Sequence, residues 1–214
     1  MVRRRIIALV GVDGSGKSTQ AHRLASWLTA LGVPARHVKN PGGRVLVGRV
    51  ARRLGRPDAA ALLGARGVSG MEGCVRWLAL LRALVRTRAR GQVAVMDRYT
   101  HCQLAVLRAR GHGGERLTRL LYGPFPEPDL VLFLALPPSR ALERIEARGT
   151  DSETLEHLSA LDAAYRALPE AVGFHVVDAD GSPAEVMFRI RRIVANSPVL
   201  SVPGGSPGGR APIP

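Results

Sequence analysis

The chain has 214 residues, 46% of them hydrophobic and 22% charged, with a formal net charge of +14. That length is enough for one domain with a substantial core and no disulfides, and no apolar run approaches the length of a membrane span. All but two of the 31 basic residues are arginines, scattered along the chain without interleaved aromatics; they read as a solvated surface whose field also favours small anionic substrates, so a nucleic-acid partner is not expected.

The start, "MVRRRIIALVGV", has the charged and apolar order of an export signal. Its apolar run is short, however, and continues into glycines, Asp13 and Lys17 instead of a cleavage site. The two cysteines, Cys74 and Cys102, lack metal-ligand spacing and read as small packing residues of a reduced, cytoplasmic chain.

Ile6 to Val10 is an unbroken apolar run and predicts a buried strand. A helix is expected from Lys17 to Leu31, with Leu24, Trp27, Leu28 and Leu31 on one face and Gly32 as its stop. "VPARHV" from Val33 predicts a second strand, ending in the loop "KNPGGR". An Arg-rich helical stretch, Arg44 to Leu54, precedes a long amphipathic helix from Met71 to Arg90. The apolar stripe of that helix is Trp77, Leu80, Leu81, Leu84 and Val85, and Arg82, Arg86 and Arg90 face away.

Val93 to Asp97 predicts the next buried strand. The segment from Thr100 to Tyr122 reads as helix interrupted by Gly111, Gly113 and Gly114. Asp129 to Leu136 is the clearest strand, and Pro137 and Pro138 open a helix reaching Arg148. A further helix carries Leu155, Leu158, Leu161, Tyr165 and Leu168; a strand, Phe174 to Asp178, and a helix, Ala184 to Ala195, follow. From Ser197 the composition turns to Pro, Gly and Ser, which predicts a disordered tail over 197–214 behind a folded domain over 1–196. Five parallel strands with helices on both faces, a doubly wound α/β sheet, is the expected fold.

Residues 11–18, "GVDGSGKS", match G-x-x-x-x-G-K-[ST] between a strand and a helix. Glycines let successive backbone N–H groups turn inward around phosphate oxygens, and the helix points its positive end at them. A nucleoside triphosphate is therefore expected on Gly11, Asp13, Gly14, Ser15, Gly16, Lys17, Ser18 and Thr19, with Lys17 reaching the β- and γ-phosphates and Ser18 ligating Mg²⁺. No N-K-x-D base-reading motif is present, which argues against a GTPase switch. Asp97 and Arg98 end a core strand beside this loop. There an Asp can hold Mg²⁺ or orient an acceptor phosphate, and an Arg can grip an anionic oxygen bidentately.

From about Arg5 to Phe188 the chain resembles the thymidylate kinase family of nucleoside monophosphate kinases. The motifs that carry the likeness are "GVDGSGKSTQ", "NPGG" (Asn40 to Gly43), "DRY" (Asp97 to Tyr99) and "PDLVLFLALPPSRALERIEARG". The resemblance implies a P-loop NTPase fold with a short lid over about 148–156, ATP with Mg²⁺ as donor, and dTMP as acceptor. It implies contact of Asp13 with the acceptor sugar, a base-reading role for Arg76, lid arginines Arg144 and Arg148 acting on the transferring group, and a homodimer. Where the family carries Arg-Glu, this chain has Lys39-Asn40, so Lys39 or Arg44 is expected to take the phosphate contact; Val106 and Leu107 replace a Tyr-Gln pair. Two other readings stay open: a kinase of a different phosphorylated acceptor, and a non-catalytic ATP-binding regulator.

Overall fold

The computed structural model describes residues 5–39, 75, 77–111, 113–149, 153–197 and 199–200. Its centre is a five-stranded parallel sheet of β1 (Ile6–Val10), β2 (Ala35–Lys39), β3 (Val93–Asp97), β4 (Leu130–Ala135) and β5 (Phe174–Asp178), in the spatial order β2-β3-β1-β4-β5. β1 and β3 are buried along their whole length and β4 along nearly all of it, as their unbroken apolar runs require. The edge strands β2 and β5 are only partly covered and carry polar residues.

Helices α1 (Lys17–Ala30), α2 (77–89), α3 (Thr100–Ala109), α4 (Glu115–Tyr122), α5 (Pro138–Arg148), α6 (Leu155–Arg166) and α7 (Pro183–Ala195) connect and cover the strands. α1 and α7 pack on each other, α1 against β2 and β3 and α7 against β5. α3 and α6 form a second packed pair, with Tyr165 of α6 against the Phe133 ring and His101 of α3 edge-on to Phe174. The chain crosses to one side of β1 for β2 and β3 and to the other for β4 and β5. The carboxyl end of β1 is therefore the switch point, where an open α/β sheet forms its ligand crevice.

Two expectations need correction. On α2 the core-facing stripe is narrower than the periodicity suggested: Leu80 is buried with Trp77 and Leu84 packed beside it, whereas Leu81 and Val85 are 40% and 59% exposed. The next core contact along that face is Thr87, whose hydroxyl donates back to the Ala83 carbonyl, so a polar residue occupies a buried position without an orphaned group. The second correction is at the C-terminus. Ser197 and Val199, which composition places in the tail, are buried, Val199 at 1% exposure within the core. The Arg44 to Leu54 helix and Cys74 lie outside the described residues; Cys102 is a free, buried cysteine.

His101 gives the fold a measurable pH dependence. Burial pushes its pKa below 6.5; Glu170 and Glu127 oppose that and Arg119 adds to it. The folded state thus holds a neutral imidazole where the unfolded chain takes a proton, and stability falls as the pH drops through the unfolded value. Carboxylates act in a lower window: Glu115, held at about 2 by hydrogen bonds from Arg108 and Arg119, loses its contribution only below 4.5. Thermal melts at about pH 7.5 and about pH 5 should show a smaller loss for His101→Phe than for the parent chain; equal losses would place the acid sensitivity elsewhere.

Candidate active site

The loop after β1 turns through three left-handed glycines, Gly11 (φ +141°), Gly14 (φ +84°) and Gly16 (φ +88°). At two of them the requirement is steric as well as conformational, because a Cβ would sit 2.7 Å from the Leu134 carbonyl oxygen at Gly11 and 2.5 Å from that of Ala141 at Gly14. The loop is thereby pressed against β4 and α5. Gly16 caps α1 without any side-chain hydrogen bond, and no acidic residue stands in the first turn. The first N–H groups of α1 are left for an anion.

Lys17 lies back over this loop. Its Nζ donates to the Val12 carbonyl at 2.5 Å and to Ser15 Oγ at 3.4 Å, and stands 3.6 Å from Asp13 Oδ1. Burial, aided by the charge of Arg98 and opposed by Asp13, pushes its pKa down to about 8. A lysine so poorly solvated gains strongly from an arriving polyphosphate, which supplies the charge the protein withholds. Burial alone would raise the Asp13 carboxyl, but Arg98 and Lys17 together hold it below its ordinary value. Asp13 is therefore a fixed anion between two cations.

Arg98 follows β3 in a left-handed conformation (φ +73°), the sole non-glycine in that region among the described residues. Its backbone N–H donates to the Leu9 carbonyl at 3.2 Å and its guanidinium pairs with Asp13. Burial opposes its charge, but Asp13, together with Cys102, Tyr165 and Asp97, outweighs that and keeps the pKa above the ordinary arginine value. A strained backbone held by its surroundings is characteristic of sites where a side chain must be aimed. Asp97, just before it, is 3% exposed; its Oδ2 accepts from Ser18 Oγ at 2.5 Å, and its Oδ1 is buried with no hydrogen-bond partner.

Lys39 ends β2 in register with Asp97 and is exposed. Thr19 is exposed at the start of α1. Arg144 donates to the carbonyls of Ala179 (3.1 Å) and Gly181 (3.2 Å) and lies 3.7 Å from Asp180, so it braces the loop between β5 and α7; Arg148, one turn on, is exposed. Arg44, Arg76, Asn40 to Gly43 and residues 150–152 of the expected lid fall outside the described residues.

Sequence reasoning missed two features. One is His37 on β2, whose Nε2 stands 4.0 Å from Asp97 Oδ2. The other is the Ala179–Gly181 loop, also held by Arg189, which donates to the Asp178 and Asp180 carbonyls. Neither has a local sequence signature, because each is assembled by strand register or by a helix reaching a distant loop.

The family model described as Thymidylate kinase matches residues 9–190, a span that holds the end of β1, the phosphate loop, Asp97, Arg98 and most of α7. The chain belongs to the thymidylate kinase family. It is 32% identical over 198 residues to a thymidylate kinase of Xanthomonas euvesicatoria pv. vesicatoria (strain 85-10), covering 88% of this chain and 82% of the relative. It is 28% identical over 200 residues to that of Carboxydothermus hydrogenoformans, covering 89% and 96%. As a thymidylate kinase family member the chain is an ATP-dependent nucleotide kinase. Among the described residues no helix is long and apolar enough to cross a membrane, and no cluster of three or more His, Cys, Asp or Glu is placed to hold a metal by itself.

Proposed function

We infer that this protein transfers the γ-phosphoryl group of ATP to dTMP, giving dTDP and ADP. The observation that carries the reading is the convergence of Lys17, Asp13, Arg98, Asp97 and Ser18 at the carboxyl ends of β1 and β3, in a chain of the thymidylate kinase family. Transfer of this kind needs alignment and charge neutralisation more than covalent participation. The loop amides and Lys17 hold the β- and γ-phosphates. Arg98 holds the acceptor phosphate, one of whose oxygens attacks the γ-phosphorus while the bond to the β,γ-bridging oxygen breaks. Asp13, pinned to Arg98, fixes that guanidinium and faces the acceptor sugar. Arg148 is exposed at the end of α5, one helical turn beyond Arg144, and we assign to it the contact with the transferring group.

Mg²⁺ belongs to the same proposal. The hydroxyl of Ser18 and the buried, unpartnered Oδ1 of Asp97 are oxygen donors that suit a hard oxygen-seeking cation. Bound there with the phosphates, the ion would neutralise phosphate charge. We extend the reading to a cytoplasmic enzyme and a homodimer, the latter supported by the exposed Leu78, Leu81 and Val85 on α2; light scattering reads the assembly directly.

The test is ADP release from MgATP with dTMP, dUMP, other nucleoside monophosphates or no acceptor. Strong stimulation by dTMP is expected, and Arg98→Ala should lower kcat/KM for dTMP by ~10²-fold or more while ATP binding persists. ATP binding without stimulation by any nucleotide would overturn the assignment.

A further inference from the structure

β2 lies at the edge of the sheet, and its register against β3 sets Lys39 opposite Asp97. Side chains alternate along a strand, so His37, two residues earlier, shares the face that carries the Asp97 carboxylate and α1. The contacts agree: the His37 ring meets His22 of α1 at 6.0 Å, and its Nε2 stands 4.0 Å from Asp97 Oδ2. Two buried polar atoms here lack any hydrogen-bond partner, Nε2 of His37 and Oδ1 of Asp97. An isolated buried donor or acceptor costs about 1–3 kcal/mol, so two such atoms on neighbouring side chains need an explanation. The Nε2 to Oδ2 separation of 4.0 Å is about 1 Å beyond hydrogen-bond distance, a gap that a small rotation of either side chain closes.

We propose that His37 is a positioning residue for the metal-holding carboxylate, donating its Nε2–H to Asp97 once metal and nucleotide are bound. The inference rests on the reading of Ser18 and Asp97 given above. Those two residues already form one hydrogen bond, Ser18 Oγ donating to Oδ2. When the hydroxyl turns toward a cation, Oδ2 loses the Ser18 donor and needs another to hold the carboxylate plane, and His37, whose Nε2 stands 4.0 Å from that oxygen, is the side chain in place to supply it. A carboxylate oriented in this way binds metal more tightly because the cost of ordering it has been met beforehand, and losing such an outer partner typically weakens metal affinity ~10- to 100-fold. β2 is an edge strand and His37 is about a quarter exposed, so substitution there leaves the core intact.

The experiment measures Mn²⁺ binding by electron paramagnetic resonance on the full chain with ADP. It compares the parent chain with His37→Phe, His37→Gln and Asp97→Asn, and measures ADP affinity in EDTA for each. His37→Phe should weaken Mn²⁺ binding ~10-fold or more. His37→Gln, whose amide carries an N–H at similar reach, should recover most of the loss, and metal-free ADP affinity should stay unchanged in both. Equal Mn²⁺ affinity in His37→Phe and the parent overturns the proposal. So does a loss shared by Phe and Gln that also appears in EDTA, which would mark a structural role. If Asp97→Asn weakens Mn²⁺ binding and His37→Phe does not, the inference alone falls; if Asp97→Asn changes nothing, the metal reading falls with it.

Discussion

A Lys17→Met variant is expected to be more stable than the parent chain in the absence of nucleotide, and inactive. Lys17 is charged at neutral pH in a site that pushes its pKa from 10.5 to about 8. Such a displacement corresponds to as much as ~3 kcal/mol of differential cost. That cost is already net of the attraction to Asp13, and Met also forfeits the hydrogen bonds to Val12 and Ser15, so a net gain of ~1–2 kcal/mol is the expected reading from denaturant melts near pH 7. The sign follows from linkage. The folded pKa lies below the unfolded one, so the cost is present in full below about pH 8 and is relieved as the folded state sheds its proton toward pH 10.5. The advantage of Met should shrink accordingly in melts at high pH. Phosphoryl transfer should fall by at least ~10²- to 10³-fold, the usual consequence of removing a group aimed at developing charge. A variant less stable at neutral pH would mean that the contacts of Lys17 outweigh its burial.

Gly14→Ala should be the most damaging single methyl in the phosphate loop. Its Cβ would lie 2.5 Å from the carbonyl oxygen of Ala141 and 3.1 Å from that residue's Cα and carbonyl carbon, all backbone atoms of α5. The loop and the helix would have to separate, and Arg144 and Arg148 would move with the helix. Gly16→Ala is the matched control: the backbone is as left-handed there (φ +88°), yet a Cβ meets nothing within 4 Å. The control should cost ~1–2 kcal/mol, the penalty for an L-residue in that region. Gly14→Ala should cost ~3 kcal/mol or more, the range reached by overpacking added to backbone strain. Equal midpoint shifts for the two variants in denaturant melts would show that α5 gives way freely.

Much of this architecture can be read from the chain because three central strands are unbroken apolar runs closed by glycine, proline or aspartate. Burial on both faces leaves few alternatives for Ile6–Val10, Val93–Asp97 and Leu130–Ala135. The phosphate loop is equally legible, since its chemistry is local. What escaped is non-local. Leu81 and Val85 fit a helical stripe, yet both are exposed while Leu80 is buried. Arg144 is visible as a basic residue one turn before Arg148, but its aim is set by the Ala179–Gly181 carbonyls, more than thirty residues away. His37 looks like a polar residue in an edge strand until β3 is placed beside it. Val199 shows that composition changes before packing ends.

The strand order also separates two tasks. The residues assigned here to the acceptor and its carboxylate neighbours, Lys39, Asp97, Arg98 and His37, hang from β2 and β3 on one side of β1, while the Ala179–Gly181 loop and the arginines of α5 hang from β4 and β5 on the other. Among the described residues, the glycine loop after β1 is the part that belongs to both halves. Mutations that retune which monophosphate is accepted can therefore accumulate on the β2–β3 flank without disturbing the opposite flank, provided the shared loop is left alone. In a lineage of such enzymes, divergence at Lys39-Asn40 beside an intact glycine loop is the pattern this separation permits.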